Sequence, residues 1–284
     1  MTETDYPQQV RIARPSDYEP IRRLCRRAVG PDDYVLRILR EVISDKELFL
    51  AWIGDQLVGM TRFDRCIDGS GWLSMARTDP DWRGRGVARF LQRELANRAK
   101  KRGIKIMRLW TLSTNLAAIR SCERGGFQRV CEAVHVSHGF RSKGRIRGKS
   151  LHLNNDVSAV RGIINSSFLS RTRGYFTYKR HFVKADKRLI DRISRKGELF
   201  SYDDSAFILT KPESSFHRLS SSFCILEGNP VNAMRLIFSK AKDLRVEWVG
   251  GYLPFDRYLV GAAKSNRFKV DMWGDHCFVF EKYI

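Results

Sequence analysis

The sequence has no Cys-x-x-Cys pair among its six cysteines, at positions 25, 66, 122, 131, 224 and 277. Nothing in their spacing calls for a disulfide framework, and 284 residues with 43% hydrophobic content can bury a core without one. No apolar stretch approaches the ~18 residues of a membrane span. The first eleven residues are polar and lack the apolar run of a signal peptide. These absences lead to the expectation of a cytoplasmic, reducing setting, free thiols and no membrane association. Acidic residues are also scarce, 31 Asp and Glu against 52 Lys and Arg, which leaves a net charge of +21.

That charge is unevenly spread. Residues 141–196 hold 16 Lys and Arg against 3 Asp and Glu, whereas residues 197–284 balance at 11 of each. Such a segment is either a solvated basic face or a contact for RNA or another polyanion. Within it, Arg171-Thr172-Arg173-Gly174-Tyr175-Phe176-Thr177-Tyr178-Lys179-Arg180 interleaves rings with cations. That pattern suits base stacking, or equally a core strand with basic ends. His135 and His138 form a His-x-x-His, but on a strand the rings face opposite ways and no Glu or Cys cluster accompanies them, so no metal is expected.

Read in order, residues 10–13 alternate as a short strand. A helix with Ile21, Leu24 and Ala28 on its apolar side follows, and a second is expected over Asp33 to Ile43. Strands are expected over Leu48 to Ile53, Leu57 to Phe63 and Trp72 to Thr78. Then comes Asp79-Pro80-Asp81-Trp82-Arg83-Gly84-Arg85-Gly86-Val87-Ala88. A strand, a glycine loop and an amphipathic run from Val87 to Lys101 form an arrangement that binds phosphate. Glycines admit an anion close to backbone amides, and the helix N-terminus holds its charge. A strand over Lys105 to Leu112, a short helix opened by Asn115, and paired strands over Phe127 to Val136 complete an α/β domain with a mixed sheet.

Arg83-Gly84-Arg85-Gly86-Val87-Ala88 resembles the Arg/Gln-x-x-Gly-x-Gly/Ala signature of the GNAT superfamily of acetyl-CoA-dependent N-acetyltransferases. Asn115-x-x-Ala118 and Gly126-Phe127 fall where that family has later landmarks. The resemblance covers about residues 8–138. It implies that residues 83–88 hold the pyrophosphate of acetyl-CoA and that the backbone of Met75, Ala76, Arg77 and Thr78 pairs with the pantetheine arm. It also implies that Asn115 reaches the arm from the opposite strand. An amide near Thr78 is then the donor to the thioester oxygen. Many members have a tyrosine proton donor where this chain has Cys122, whose thiol is a candidate donor or a small buried residue. The strand carboxylate that some relatives use as a base is missing. A site without a base suits an α-amine of lower pKa better than a lysine side chain, and the basic chain suits an anionic acceptor, small molecule or protein, better than a polyamine.

The second half repeats the layout more weakly. Glu198-Leu199-Phe200 echoes Glu47-Leu48-Phe49, and Phe223 to Gly228 with Asn229-Pro230 echoes Trp72 to Arg77 with Asp79-Pro80. Pro230 is followed by Val231-Asn232-Ala233-Met234, with no glycine loop. The expected fold class is therefore α/β with two GNAT-like domains, each a mixed, mostly antiparallel twisted sheet flanked by helices. Residues 1–140 form the acetyltransferase domain, 141–150 a basic linker, and 151–284 a degenerate copy. The expected activity is acetyl transfer from acetyl-CoA to a primary amine. The rival is a non-catalytic acetyl-CoA-binding scaffold docked through its basic middle.

Overall fold

A computed structural model describes residues 9–140, 163–202, 205–215, 218–270 and 276–284. The expected linker 141–150 lies outside these. The protein is a mixed α/β chain in two compact units. One gathers residues up to Leu109, Ala117–Gln128 and Glu281–Ile284, and the other gathers Trp110–Leu116 and Arg129–Phe280. This division differs from one at residue 140, because the end of the chain belongs to the first unit.

The first unit's sheet runs β1 (Gln9–Ile12), β2 (Leu48–Ile53), β3 (Gln56–Arg65), β4 (Gly71–Thr78) and β5 (Ile106–Leu112, through Leu109 in this unit) in spatial order. The first three pairings are antiparallel, and β4 with β5 is parallel. Helices α1 (Tyr18–Ala28), α2 (Leu39–Ser44), α3 (Val87–Lys101) and α4 (Leu116–Arg124) follow in chain order. Helix α3 forms because Val87, Leu91, Leu95 and Ala99 recur every fourth residue and are buried, with cations in the last turn. Gly103, at φ 73°, lets the chain turn away after it. The continuous helix expected over 33–43 is broken. Tyr34–Arg37 is a 3-10 turn capped by Asp33, whose carboxylate accepts from the Val35 amide at 3.2 Å, and Ile38 separates it from α2.

Charge is buried in this unit on purpose-built partners. Arg108, 1% exposed, donates to Glu281 at 2.7 Å, Asp68 at 2.6 Å and the Ser70 hydroxyl at 2.7 Å. The Ile284 amide donates to the Lys105 carbonyl at 2.9 Å, so the last residues lie along the start of β5.

In the second unit, β6 (Gln128–Gly139) is a single long strand rather than the expected pair, since no turn residue interrupts it. Then come α5 (Ser167–Arg171), the hairpin β7 (Tyr175–Tyr178) and β8 (His181–Lys184), α6 (Lys187–Arg195), β9 (Leu199–Tyr202), β10 (Ser205–Leu209), β11 (Glu213–Ser215), β12 (Arg218–Glu227), α7 (Pro230–Asp243), β13 (Trp248–Pro254), α8 (Arg257–Ser265), β14 (Lys269–Val270) and β15 (Cys277–Tyr283, through Phe280 in this unit). The sheet order is β6-β13-β12-β10-β9, with β12 and β13 parallel. Phe207, Phe223, Met234, Ile237 and Val249 form the core between the sheet and α7 and α8. The rings of Tyr175, Phe176 and Tyr178 are buried, so they belong to the core and are not offered to nucleic-acid bases. Among the described residues no helix is long and apolar enough to cross a membrane.

Candidate active site

Strand β4 separates from β5 almost at once. Their ladder holds only Gly71↔Met107 and Trp72↔Arg108, while β4 continues to Thr78. Against β3, β4 carries a bulge. Met60 pairs with Arg77 and Arg62 with Ser74, so Met75 and Ala76 together oppose Thr61. Met75 has φ 54°, the left-handed region that a side chain rarely adopts, and the Thr61 hydroxyl donates to the Ser74 carbonyl at 3.2 Å. A bulge bends its strand and increases its twist. After the bulge the Asp79 amide donates to the Val58 carbonyl on β3 at 2.9 Å. Successive amides of an extended strand point to opposite edges, so the Thr78 amide points away from β3, toward the edge that the short β5 ladder leaves open.

The loop between β4 and α3 is held from outside. Arg27 of α1 grips the buried Asp79 at 2.9 and 3.1 Å and Asp81 at 2.7 Å. Burial would raise Asp79, but the hydrogen bonds from Arg27 and the Asp81 amide hold its carboxyl below the usual range. Gly84 and Gly86 both have positive φ, 77° and 84°. Gly86 caps α3 without any side-chain hydrogen bond, which leaves the first amides of a fifteen-residue helix for an external acceptor. Gly59 on β3 permits this placement, because a Cβ there would stand 2.6 Å from Val87 Cγ1.

The expected site residues find distinct places. Met75 to Thr78 and Arg83 to Ala88 share the first unit, on the bulged strand, the loop that follows it and the first residues of α3. The Arg83 guanidinium donates to the Ala28 carbonyl at 2.6 Å, and Arg85 lies over the Trp82 ring at 5.1 Å. The Arg77 side chain turns to Asp33, with both hydrogen bonds at 2.8 Å, and its guanidinium lies 5.5 Å from the centre of the Tyr34 ring. Burial would raise Asp33, yet this pairing keeps it below the ordinary carboxylate range. Asn115 directly precedes α4 and belongs to the second unit. Cys122 on α4 is buried, and burial, helped by Glu123, pushes its thiol up to about 12. Arg27, Asp33 and Gly59 were not foreseen. The two side-chain partners are 52 and 44 residues from the groups they hold, and no local pattern announces them.

The second unit makes a contrast at the corresponding strand end. Asn229 caps α7 with its side-chain Oδ1, accepting from the Val231 amide at 2.9 Å and the Asn232 amide at 3.3 Å. The β12–β13 ladder ends at Phe223↔Gly251, and both strands run on. Side chains of the β7–β8 hairpin line the space between them. Tyr175, Thr177 and Phe182 meet Cys224 and Tyr252 around a residual volume of about 10 Å³, scarcely one water. Among the described residues no group of three or more His, Cys, Asp or Glu side chains could hold a metal ion. His135 packs on Trp248 and Tyr252, and His138 on Phe140, Phe238 and Phe268.

No curated protein matches the chain. Among solved structures, a protein of Thermoplasma acidophilum assigned as an acetyltransferase superposes with TM-score 0.59 at 15% identity, over 97% of this chain and all of that one. A GCN5-related N-acetyltransferase from Sphaerobacter thermophilus gives 0.59 at 11% identity, covering 97% and 95%. A protein of Pyrococcus horikoshii assigned as an acetyltransferase gives 0.55 at 17% identity, covering 100% and 92%. At such identities the likeness is one of fold. The model of the acetyltransferase (GNAT) family matches residues 16–127, the span that holds α1, the bulged β4, the glycine loop and α3. That segment, less than half of the chain, matches the GNAT family of acetyltransferases.

Proposed function

We propose that this chain transfers the acetyl group of acetyl-CoA to a primary amine, with the cofactor held by the N-terminal half alone. The observation that carries the reading is the open N-terminus of α3, behind two left-handed glycines and next to the freed edge of β4. On this reading the amides from Arg83 to Ala88 hold the pyrophosphate, and the backbone of Met75, Ala76, Arg77 and Thr78 holds the pantetheine arm. Acetyl-CoA supplies the activated acyl group, and the Thr78 amide stabilises negative charge at the thioester oxygen.

The proton balance is closed, because the proton lost by the amine equals the one gained by the departing thiolate. Asp64 is bound by Arg62 at 2.8 Å and Asp79 by Arg27, so neither is a poised base. A thiol held near 12 is a reluctant acid beside an ordinary thiol near 8.5, which counts against the proton-donor role expected of Cys122. Water carrying the proton agrees better with this site. An acceptor amine of low pKa follows from the same lack of a base.

Residues 151–284 then act as a degenerate GNAT-like domain. The capping of α7 by Asn229 and the filling of the β12–β13 gap by the β7–β8 hairpin both support it. The test is release of CoA from acetyl-CoA with panels of α-amines, lysine side chains and small anionic amines, followed across pH. Transfer to one panel, lost in Gly86→Val, supports the reading. Tight acetyl-CoA binding with no CoA release from any panel would replace it with the scaffold reading.

A further inference from the structure

A cleft of about 430 Å³ lies wholly within the second unit, beyond the C-terminal end of β13. Its size lies in the range of small-ligand sites. Ligands of open α/β sheets gather outside the carboxyl ends of parallel strands, and β13 is half of the parallel pair in this unit. Three guanidinium groups line it, those of Arg129, Arg171 and Arg173, against two carboxylates, Glu132 and Asp256.

The charges are not equivalent. Asp256 is fully engaged. One oxygen accepts from the Tyr258 and Leu259 amides at 2.8 and 3.2 Å, and the other accepts from Arg171 at 2.6 Å. It therefore orients Arg171 and offers little repulsion to an incoming anion. The Arg129 guanidinium carbon lies 4.5 Å from the centre of the Phe278 ring, and the group is 3.6 Å from Glu132, beyond hydrogen-bond range. Arg173 makes no ion pair among the described residues, and its backbone stands at φ 54° next to the left-handed Gly174. Left-handed backbone at a bulky residue persists only where its surroundings impose it, and it gathers at ligand-binding positions. The cleft thus has one unmatched cation and two pre-oriented ones.

It also has a ring with a free face. Phe255 is 54% exposed, and its buried face stacks on His276 with centroids 4.0 Å apart and planes 18° from parallel. A ring stacked on one face and exposed on the other is a platform for a second flat ring. Glu132 is half-open, 3.6 Å from Arg129 and 3.8 Å from His276, so its oxygens remain able to accept from hydroxyl groups.

From this set we propose that the cleft is a second ligand site, and that it takes a mononucleotide. Guanidinium groups would bind the phosphate, Phe255 the base, and Glu132 the sugar hydroxyls. This site requires neither the glycine loop nor acetyl transfer, so it stands or falls independently of the function proposed above.

The test is calorimetric titration of the full chain with AMP, beside adenosine and inorganic phosphate. AMP is expected to bind with Kd below about 1 mM, and adenosine and phosphate each at least ~10-fold more weakly, since each keeps only half of the contacts. Arg173→Asn removes the free cation while keeping a residue that tolerates positive φ, and Phe255→Ala removes the platform. Each should weaken AMP by ~10-fold or more. Both side chains are exposed, so both variants should keep the native circular dichroism. Gly86→Val, which closes the loop proposed for CoA, should leave the AMP signal in place. Absence of AMP binding, adenosine binding as well as AMP, or an AMP signal that Gly86→Val abolishes and Arg173→Asn spares would each overturn the proposal.

Discussion

Gly59→Ala tests whether the position of α3 on the sheet governs cofactor binding. The new Cβ would stand 2.6 Å from Val87 Cγ1 and 3.2 Å from Leu91 Cδ1. Carbon atoms rest at about 3.5–4.0 Å, so the first turn of α3 must retreat by about 1 Å or strain in place. Overpacking of this kind costs about 1–3 kcal/mol, or a loss of roughly 2–4 °C in Tm per kcal/mol for a chain of this size. The retreat also moves the amides of Val87 and Ala88, and misplacement of about 1 Å at a reacting site can cost ~100-fold. Gly59→Ala should therefore raise the Kd for CoA by ~10-fold or more, read by calorimetry, together with the fall in Tm. Val87→Ala removes the clashing methyl. Placed on top of Gly59→Ala, it should recover both losses in large part, with a coupling of about 1–3 kcal/mol. A Gly59→Ala chain with unchanged CoA affinity, or a pair of substitutions whose effects simply add, would refute the placement of α3 as the determinant.

Arg108→Met should cost about 3–5 kcal/mol at neutral pH in a denaturant titration of the full chain, because it removes the buried guanidinium that Asp68 and Glu281 both accept from. Its pH dependence should change sign. In the native chain burial would raise Asp68, but Arg108 outweighs it and holds the carboxyl low, so this stabilisation is present above the unfolded pKa and lost as pH falls through the folded one. In Arg108→Met the burial of Asp68 is no longer opposed by a guanidinium, so its carboxyl should take up a proton and stability should rise on acidification toward pH ~4; a parallel decline in both chains would contradict this. Asn229→Ala should lower stability by about 0.5–2 kcal/mol, measured by thermal unfolding, as the Val231 and Asn232 amides lose their acceptor. Cys122→Ala should keep kcat within about threefold, since loss of a true general acid would cost ~100-fold or more; a drop of that size would restore the thiol to the mechanism.

The sequence was most informative where a pattern is local. The periodic stripe of α3, the short apolar run of β2, and the glycines at 84 and 86 each carry their conformation within a few residues. The limits of α3 were read to the residue for that reason. Reading failed where distant partners decide. The helix expected over 33–43 has good apolar spacing, but Asp33 is drawn to Arg77 and caps a tighter turn instead. The interleaved rings and cations of 171–180 looked alike for a nucleic-acid surface and a core strand. Only the packing of Tyr175 and Phe176 between β12 and β13 decides for the core. The Arg27 clamp on Asp79 and the close approach at Gly59 leave no local trace, because neither partner is chosen by spacing along the chain.

The pairing of Arg108 with Glu281 has a consequence for the order in which the protein matures. Synthesis runs from the N-terminus, so β5 leaves the ribosome 173 residues before its carboxylate partner. Until residue 281 arrives, the guanidinium at 108 lacks the Glu281 carboxylate, and the start of β5 lacks the Ile284 amide. The first unit therefore cannot finish folding during translation ahead of the second. Expression of residues 1–140 alone should yield an open, aggregation-prone sheet edge rather than a working minimal enzyme, and a useful shortened chain would have to graft residues 281–284 back beside β5.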